Sequence, residues 1–137
     1  MKTFLDSSAF AKRFVDEAGS DKVEDTCAQA SDLGLSVVCV PEIISALNRR
    51  RRERSLTAAQ YTKAKQQLLD DVRDADIIHL AVPVVGSAIG VLEASPVRAM
   101  DALHIACALE WGAELFVSSD RKQLSAARRA GLKTHAV

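Results

Sequence analysis

A chain of 137 residues that is 48% hydrophobic and 26% charged has the material for one compact core and little length for a second. That apolar content excludes a disordered or low-complexity protein, and a net charge of +0, from 18 Lys and Arg against 18 Asp and Glu, excludes one that coats polyanions by bulk charge. The three scattered cysteines, Cys27, Cys39 and Cys107, read as reduced buried thiols rather than a disulfide frame or a zinc site. No apolar stretch precedes Asp6, and the nearly uncharged run from Leu80 to Leu92 is too short to span a bilayer, so a cytoplasmic protein without a membrane segment is expected.

Apolar, β-branched runs alternate with segments of helical period, the signature of a parallel sheet built from βα units. Lys2 to Leu5 reads as a short strand. Asp6, Ser7 and Ser8 then offer cap-type side chains to a helix over Ser8 to Glu17, with Phe10 and Phe14 on one stripe. Ser20 can cap a second helix, with Val23, Cys27 and Ala30 on one face and Gly34 as its stop. Leu35 to Val40 is apolar almost throughout, as expected of a strand covered on both faces.

Pro41 suits the first turn of a helix opening at Glu42. Its stripe of Ile43, Ile44 and Leu47 runs on into Arg50, Arg51 and Arg54, which cannot enter a core unpaired, so the helix is expected to project beyond the body. Thr57 with Gln60 has the form of a capping box, and Tyr61, Ala64, Leu68 and Val72 trace a returning helix. Asp76 to Val82 reads as a strand, followed by a helix begun at Pro83 with Val85, Ala88, Ile89 and Leu92 inward. Arg98 to Trp111 is apolar on almost every side apart from Asp101, His104 and Glu110, which predicts a buried helix stopped by Gly112. Leu115 to Ser118 is a strand, Lys122 to Ala130 a helix, and Lys133 to Val137 the closing strand. The expected architecture is a single domain over 1–137: a three-layer α/β/α fold with a central parallel sheet of about five short strands and a protruding helical hairpin.

Ligands of open parallel sheets bind beyond the carboxyl ends of the strands. Asp6, Glu42 and Asp120 all fall at that edge, and Asp101 interrupts the buried helix near its start, where an unpaired carboxylate is costly. Each has a plain structural use: Asp6 and Asp120 as helix caps, Glu42 at a helix dipole, Asp101 paired with Arg98. Acids make up roughly 0.13 of the chain, so four such positions are all acidic by composition on the order of 10⁻⁴ to 10⁻³ of the time. Taken jointly, they point to a shared divalent cation, and hard oxygen donors without cysteine suit Mg²⁺ or Mn²⁺.

These residues resemble PIN-domain ribonucleases, specifically the VapC-type toxins of toxin–antitoxin pairs. The likeness runs from Thr3-Phe4-Leu5-Asp6-Ser7-Ser8-Ala9 to the last strand. It is most specific in Met100-Asp101-Ala102-Leu103-His104-Ile105-Ala106 and in Glu114-Leu115-Phe116-Val117-Ser118-Ser119-Asp120, with Pro41-Glu42-Ile43 as a second motif. The resemblance implies that Asp6, Glu42, Asp101 and Asp120 bind metal, that Ser118 is a hydroxyl beside them, and that a VapB-type antitoxin and a homodimer are partners. At Lys122 some members carry another acid, a departure that bears on a second metal site.

Phosphodiester hydrolysis needs an activated water and neutralised charge, which carboxylate-held Mg²⁺ supplies without a covalent intermediate. Asp6, Asp101 and Asp120 are assigned mainly to metal, and Glu42 to metal or to orienting and deprotonating the attacking water. Arg49 lies two helical turns after Glu42 and can reach an RNA phosphate on the same face. His104 reads as a core histidine rather than a base. The expected function is a Mg²⁺-dependent endoribonuclease toxin. The alternatives are an RNA-processing PIN nuclease without an antitoxin, a receiver-like phosphoacceptor module, and a catalytically inactive protein-binding module.

Overall fold

The computed structural model describes residues 1–137. Five strands form one sheet: β1 (Lys2–Leu5), β2 (Asp32–Ser36), β3 (Asp76–Ile78), β4 (Leu115–Ser118) and β5 (Thr134–Ala136). Their order is β3-β2-β1-β4-β5, and every pairing is parallel. Parallel neighbours need crossovers, which helices supply. These are α1 (Ser7–Phe10), α2 (Ser20–Gln29), α3 (Cys39–Arg52), α4 (Ala58–Asp71), α5 (Val82–Ala94), α6 (Ala99–Trp111) and α7 (Arg121–Arg129). A receiver-type module would have the strand order 2-1-3-4-5, so the topology excludes that alternative.

Because successive strand residues point to opposite faces, the sheet divides the core in two. Phe4 and Phe116 stack at 5.8 Å on one face and pack with Ile105, Ala106 and Leu124. Leu5, Leu35 and Val117 point to the other, against Phe10, Val23, Ile43 and Leu68. Both faces are therefore covered, which gives the expected three layers. α3 and α4 form the expected hairpin, joined by a capping box at Thr57 and Gln60, and its tip from Arg51 to Gln60 is exposed except for half-buried Leu56.

Several boundaries differ from the sequence reading. The first helix is a single α-turn, continued by a 3₁₀ turn at Ala11–Arg13, rather than a helix to Glu17. β2 ends at Ser36, whose hydroxyl accepts from the Val38 N–H at 3.3 Å, so α3 opens at Cys39 and not at Glu42. β3 likewise ends at Ile78 and not at Val82. Gly34 is not a helix stop: it lies within β2, where a Cβ would sit 2.7 Å from the Trp111 ring, and glycine in a strand often marks such a close approach.

The inward face of α5 also differs from the expected one. Val84, Ala88 and Val91 are buried, whereas Val85, Ile89 and Leu92 are 47%, 52% and 41% exposed and Val82 is 86% exposed. α5 is apolar nearly all round, so periodicity cannot choose its face; packing against α6 does. No helix is long and apolar enough to cross a membrane.

Candidate active site

β1 pairs with β2 on one side and with β4 on the other, so the crevice of the sheet opens at the carboxyl ends of β1 and β4. Asp6 follows β1 there and is 1% exposed. It caps α1: its Oδ1 accepts from the Ala9 N–H at 2.9 Å and the Ser8 hydroxyl at 2.8 Å. Its Oδ2 accepts from the Ser118 hydroxyl at 2.6 Å. Burial pushes the Asp6 carboxyl above its ordinary range, with the Ser118, Ala9 and Ser8 donors opposing it.

Asp120 follows β4 and caps α7, its Oδ1 accepting from the Lys122 and Gln123 N–H groups at 2.8 and 3.2 Å. Its own N–H donates to Ser118 Oγ at 3.0 Å. One hydroxyl thus ties the carboxyl ends of β1 and β4 together. Asp101 sits in the first turn of α6. Its carboxyl is raised, first by burial and then by the Asp120 and Glu42 charges, against a backbone N–H of Arg98. No ion pair joins it to Arg98, so that simple structural use of the acid is not realised.

Glu42 projects from the first turn of α3. Its Oε1 receives the Ser7 hydroxyl at 2.6 Å and stands 2.5 Å from His104 Nε2. Burial works to raise this carboxyl, but the hydrogen bonds from His104 and Ser7 outweigh it and hold Glu42 below its ordinary range. Beneath it, burial pushes the Cys39 thiol up to about 12, with the nearby carboxylates adding to the rise, so this cysteine is inert.

Glu42, Asp101 and Asp120 line one cavity of about 980 Å³, shared with Arg98, Arg121 and Lys122. None of these three cations forms an ion pair. Asp6 is not exposed on the cavity wall; it is linked to it through Ser118 and Asp120. No three His, Cys, Asp or Glu side chains approach closely enough to form a ready-made ion cage. A closed zinc site, with four protein ligands, does not fit this arrangement. A hydrated divalent cation does, because an ion that keeps several waters needs only one or two carboxylates together with substrate phosphate. The raised Asp6 and Asp101 carboxyls are the groups whose ionisation a cation would favour.

Two features are not evident from the sequence reading. His104 is 2% exposed and meets Glu42; the available signal is its place one turn beyond Asp101 on the same helix. Arg98, Arg121 and Lys122, rather than Arg49, are the cations of the cavity, and their signal is that they flank Asp101 and Asp120 in sequence. Arg49 itself is exposed near the end of α3 and does not line the cavity.

The fold has close counterparts among solved structures. Mycobacterium tuberculosis VapC20, described as a sarcin–ricin loop cleaving toxin, aligns with a TM-score of 0.71 at 17% identity, covering 96% of each chain. VapBC2 from Rickettsia felis, bound to a promoter DNA fragment, gives 0.71 at 11% identity over 100% of this chain and 99% of that one. FitAcB from Neisseria gonorrhoeae gives 0.70 at 13%, over 96% and 95%. At such identities the likeness is one of fold. No curated protein matches the sequence. The PIN domain family model, however, matches residues 3–129, a span that contains all four acids and, apart from Lys2 at the start of β1, every strand but the last. With that coverage, this chain belongs to the PIN-domain family.

Proposed function

We propose that this protein is a Mg²⁺-dependent endoribonuclease and the toxin partner of a VapB-type antitoxin. The observation that carries the reading is the shared cavity: carboxylates from α3, α6 and the end of β4 line one opening together with three unpaired cations. Asp6, Asp101 and Asp120, with Glu42, would hold Mg²⁺, for which Mn²⁺ can substitute. When bound, the ion supplies an activated water and neutralises charge on the phosphoryl and leaving oxygens.

The chain's own groups do the rest. Arg98, Arg121 and Lys122 bind the RNA phosphates and fix the backbone across the acids. Ser118 holds Asp6, Asp120 remains anchored by the first N–H groups of α7, and Glu42 orients the attacking water. RNA is favoured over a small anion because three unpaired cations line the one cavity and can neutralise more than one phosphate. The antitoxin is supported by the neighbours, several of which are toxin–antitoxin complexes. We also propose a homodimer formed through the exposed apolar stripe of Val82, Val85, Ile89 and Leu92.

The test is to incubate the purified protein with total RNA and Mg²⁺, with and without EDTA, beside an Asp101→Asn variant. Cleavage by the wild type alone, abolished by EDTA, is expected. Equal cleavage by the variant would expose a contaminating nuclease and defeat the reading. Co-purification with the product of an adjacent gene that silences cleavage separates the toxin from an RNA-processing nuclease without an antitoxin.

A further inference from the structure

We infer that His104 and Ser7 are a positioning pair for Glu42: together they occupy its Oε1 and leave Oε2 as the single oxygen presented to the acid cavity. The inference rests on the nuclease reading and deepens it, since it assigns work to two residues outside the acid set. Ser7 Oγ lies 2.6 Å from Glu42 Oε1, His104 Nε2 lies 2.5 Å from the same oxygen, and the two donors stand 3.2 Å apart. Glu42 Oε2 receives no hydrogen bond from the protein, and Glu42 lines the cavity. The carboxylate is therefore clamped on one side and free on the other.

A carboxylate only accepts, so the contact requires the proton of His104 to sit on Nε2. The other ring nitrogen, Nδ1, is buried and has no partner. A residue kept here for packing alone would leave no such orphan. Leucine would fill a comparable space beside Phe4, whose ring meets the imidazole edge-on at 6.4 Å, without stranding a polar atom. What histidine adds is the hydrogen bond across α6 to α3. The same helix then supplies Asp101 in its first turn and, three residues on, the group that aims Glu42. Two elements 62 residues apart in sequence are set in one geometry by a single ring.

The experiment compares His104→Leu, His104→Gln and Ser7→Ala in RNA cleavage, with Mn²⁺ binding by calorimetry and melting temperature measured on each. Glutamine carries an amide donor at about the reach of Nε2, whereas leucine carries none. His104→Leu should lower kcat by about tenfold or more while KM holds, with a fall in melting temperature at pH 7 no larger than that of Glu42→Gln, since both remove the bond that holds Glu42 low. His104→Gln should recover most of that loss, and Ser7→Ala should lose less than His104→Leu because one donor remains. In a Glu42→Ala background, His104→Leu should have no further effect.

Full activity of His104→Leu, equal losses in the leucine and glutamine variants, or additive losses with Glu42→Ala would each overturn the pair while leaving the nuclease reading intact. If the wild type cleaves no RNA, that reading fails separately. ¹⁵N NMR of the imidazole then decides the clamp: an Nε2–H signal that moves on Glu42→Ala supports it, and an unchanged signal overturns it.

Discussion

Ser118 donates to Asp6 at 2.6 Å across 112 residues of sequence, and the same oxygen accepts from the Asp120 N–H at 3.0 Å. Of the donors to Asp6, this one does most to offset the burial that raises its carboxyl. Ser118→Ala removes the donor and leaves the Asp120 N–H without its acceptor. Mg²⁺-dependent cleavage should fall by about 10–100-fold, and Ser118→Thr should restore most of it. Cleavage rates across a Mg²⁺ titration check this; unchanged activity in Ser118→Ala would show that Asp6 needs no such support.

Asp101 and Glu42 should move metal-free stability in opposite directions. The Asp101 carboxyl is raised in the folded chain by burial and by Asp120 and Glu42, so the folded state resists its ionisation more than the unfolded state does. Stability is then lost as pH rises from the ordinary 3.8 through the raised value, and stays lost at neutral pH. Asp101→Asn should therefore melt higher than wild type at pH 7 in EDTA, with the gain vanishing below the ordinary carboxyl range. Glu42, held low, contributes stability above its ordinary value, so Glu42→Gln should melt lower at pH 7. Thermal melts across pH in EDTA decide both signs. Added Mg²⁺ should raise the wild-type melt more than that of Asp101→Asn.

Gly34→Ala should destabilise the fold without touching the site. Its Cβ would meet Trp111 at 2.7 Å, and that ring cannot retreat freely, with Lys2 Nζ 4.3 Å above it and its Nε1 donating to Asp76 at 3.0 Å. Overpacking of this kind costs about 1–3 kcal/mol. A lowered urea midpoint with an unchanged slope is the expected result; a midpoint equal to wild type would show that the indole swings aside.

Among the basic residues, Arg121 and Lys122 should matter more to RNA than Arg49, because they line the acid cavity and Arg49 does not. Arg121→Ala and Lys122→Ala should each weaken binding and flatten the salt dependence by about 0.7 in log–log slope, the change expected when one phosphate is no longer neutralised. Arg49→Ala should produce a smaller loss confined to longer RNA. Affinities measured from low to high salt separate the two; the reverse ranking would put the RNA along α3.

Self-association through α5 is checked by Ile89→Asp, a change at a position 52% exposed. The variant should sediment as a monomer with an unchanged melting temperature, while the wild type sediments as a dimer. A monomeric wild type at micromolar concentration would count against the stripe as an interface.

The sequence alone determined the alternation of strand and helix, the parallel class of the sheet and the place of Asp6 and Asp120 just beyond two strand ends. These depend on local periodicity, turn chemistry and motifs, which leave their mark within short windows: Gly112 at φ 80 and the Thr57–Gln60 capping box stand where the residues require them. Tertiary structure alone decided the rest. Which face of α5 is buried is illegible in the sequence because the helix is apolar all round and only its packing against α6 selects Val84 over Val85. Gly34 has the local look of a helix stop, and only Trp111, far along the chain, reveals its use by occupying the space of the missing side chain. The contact of His104 with Glu42 is likewise invisible, since a hydrogen bond between helices is set by how the layers stack and not by the residues around either partner.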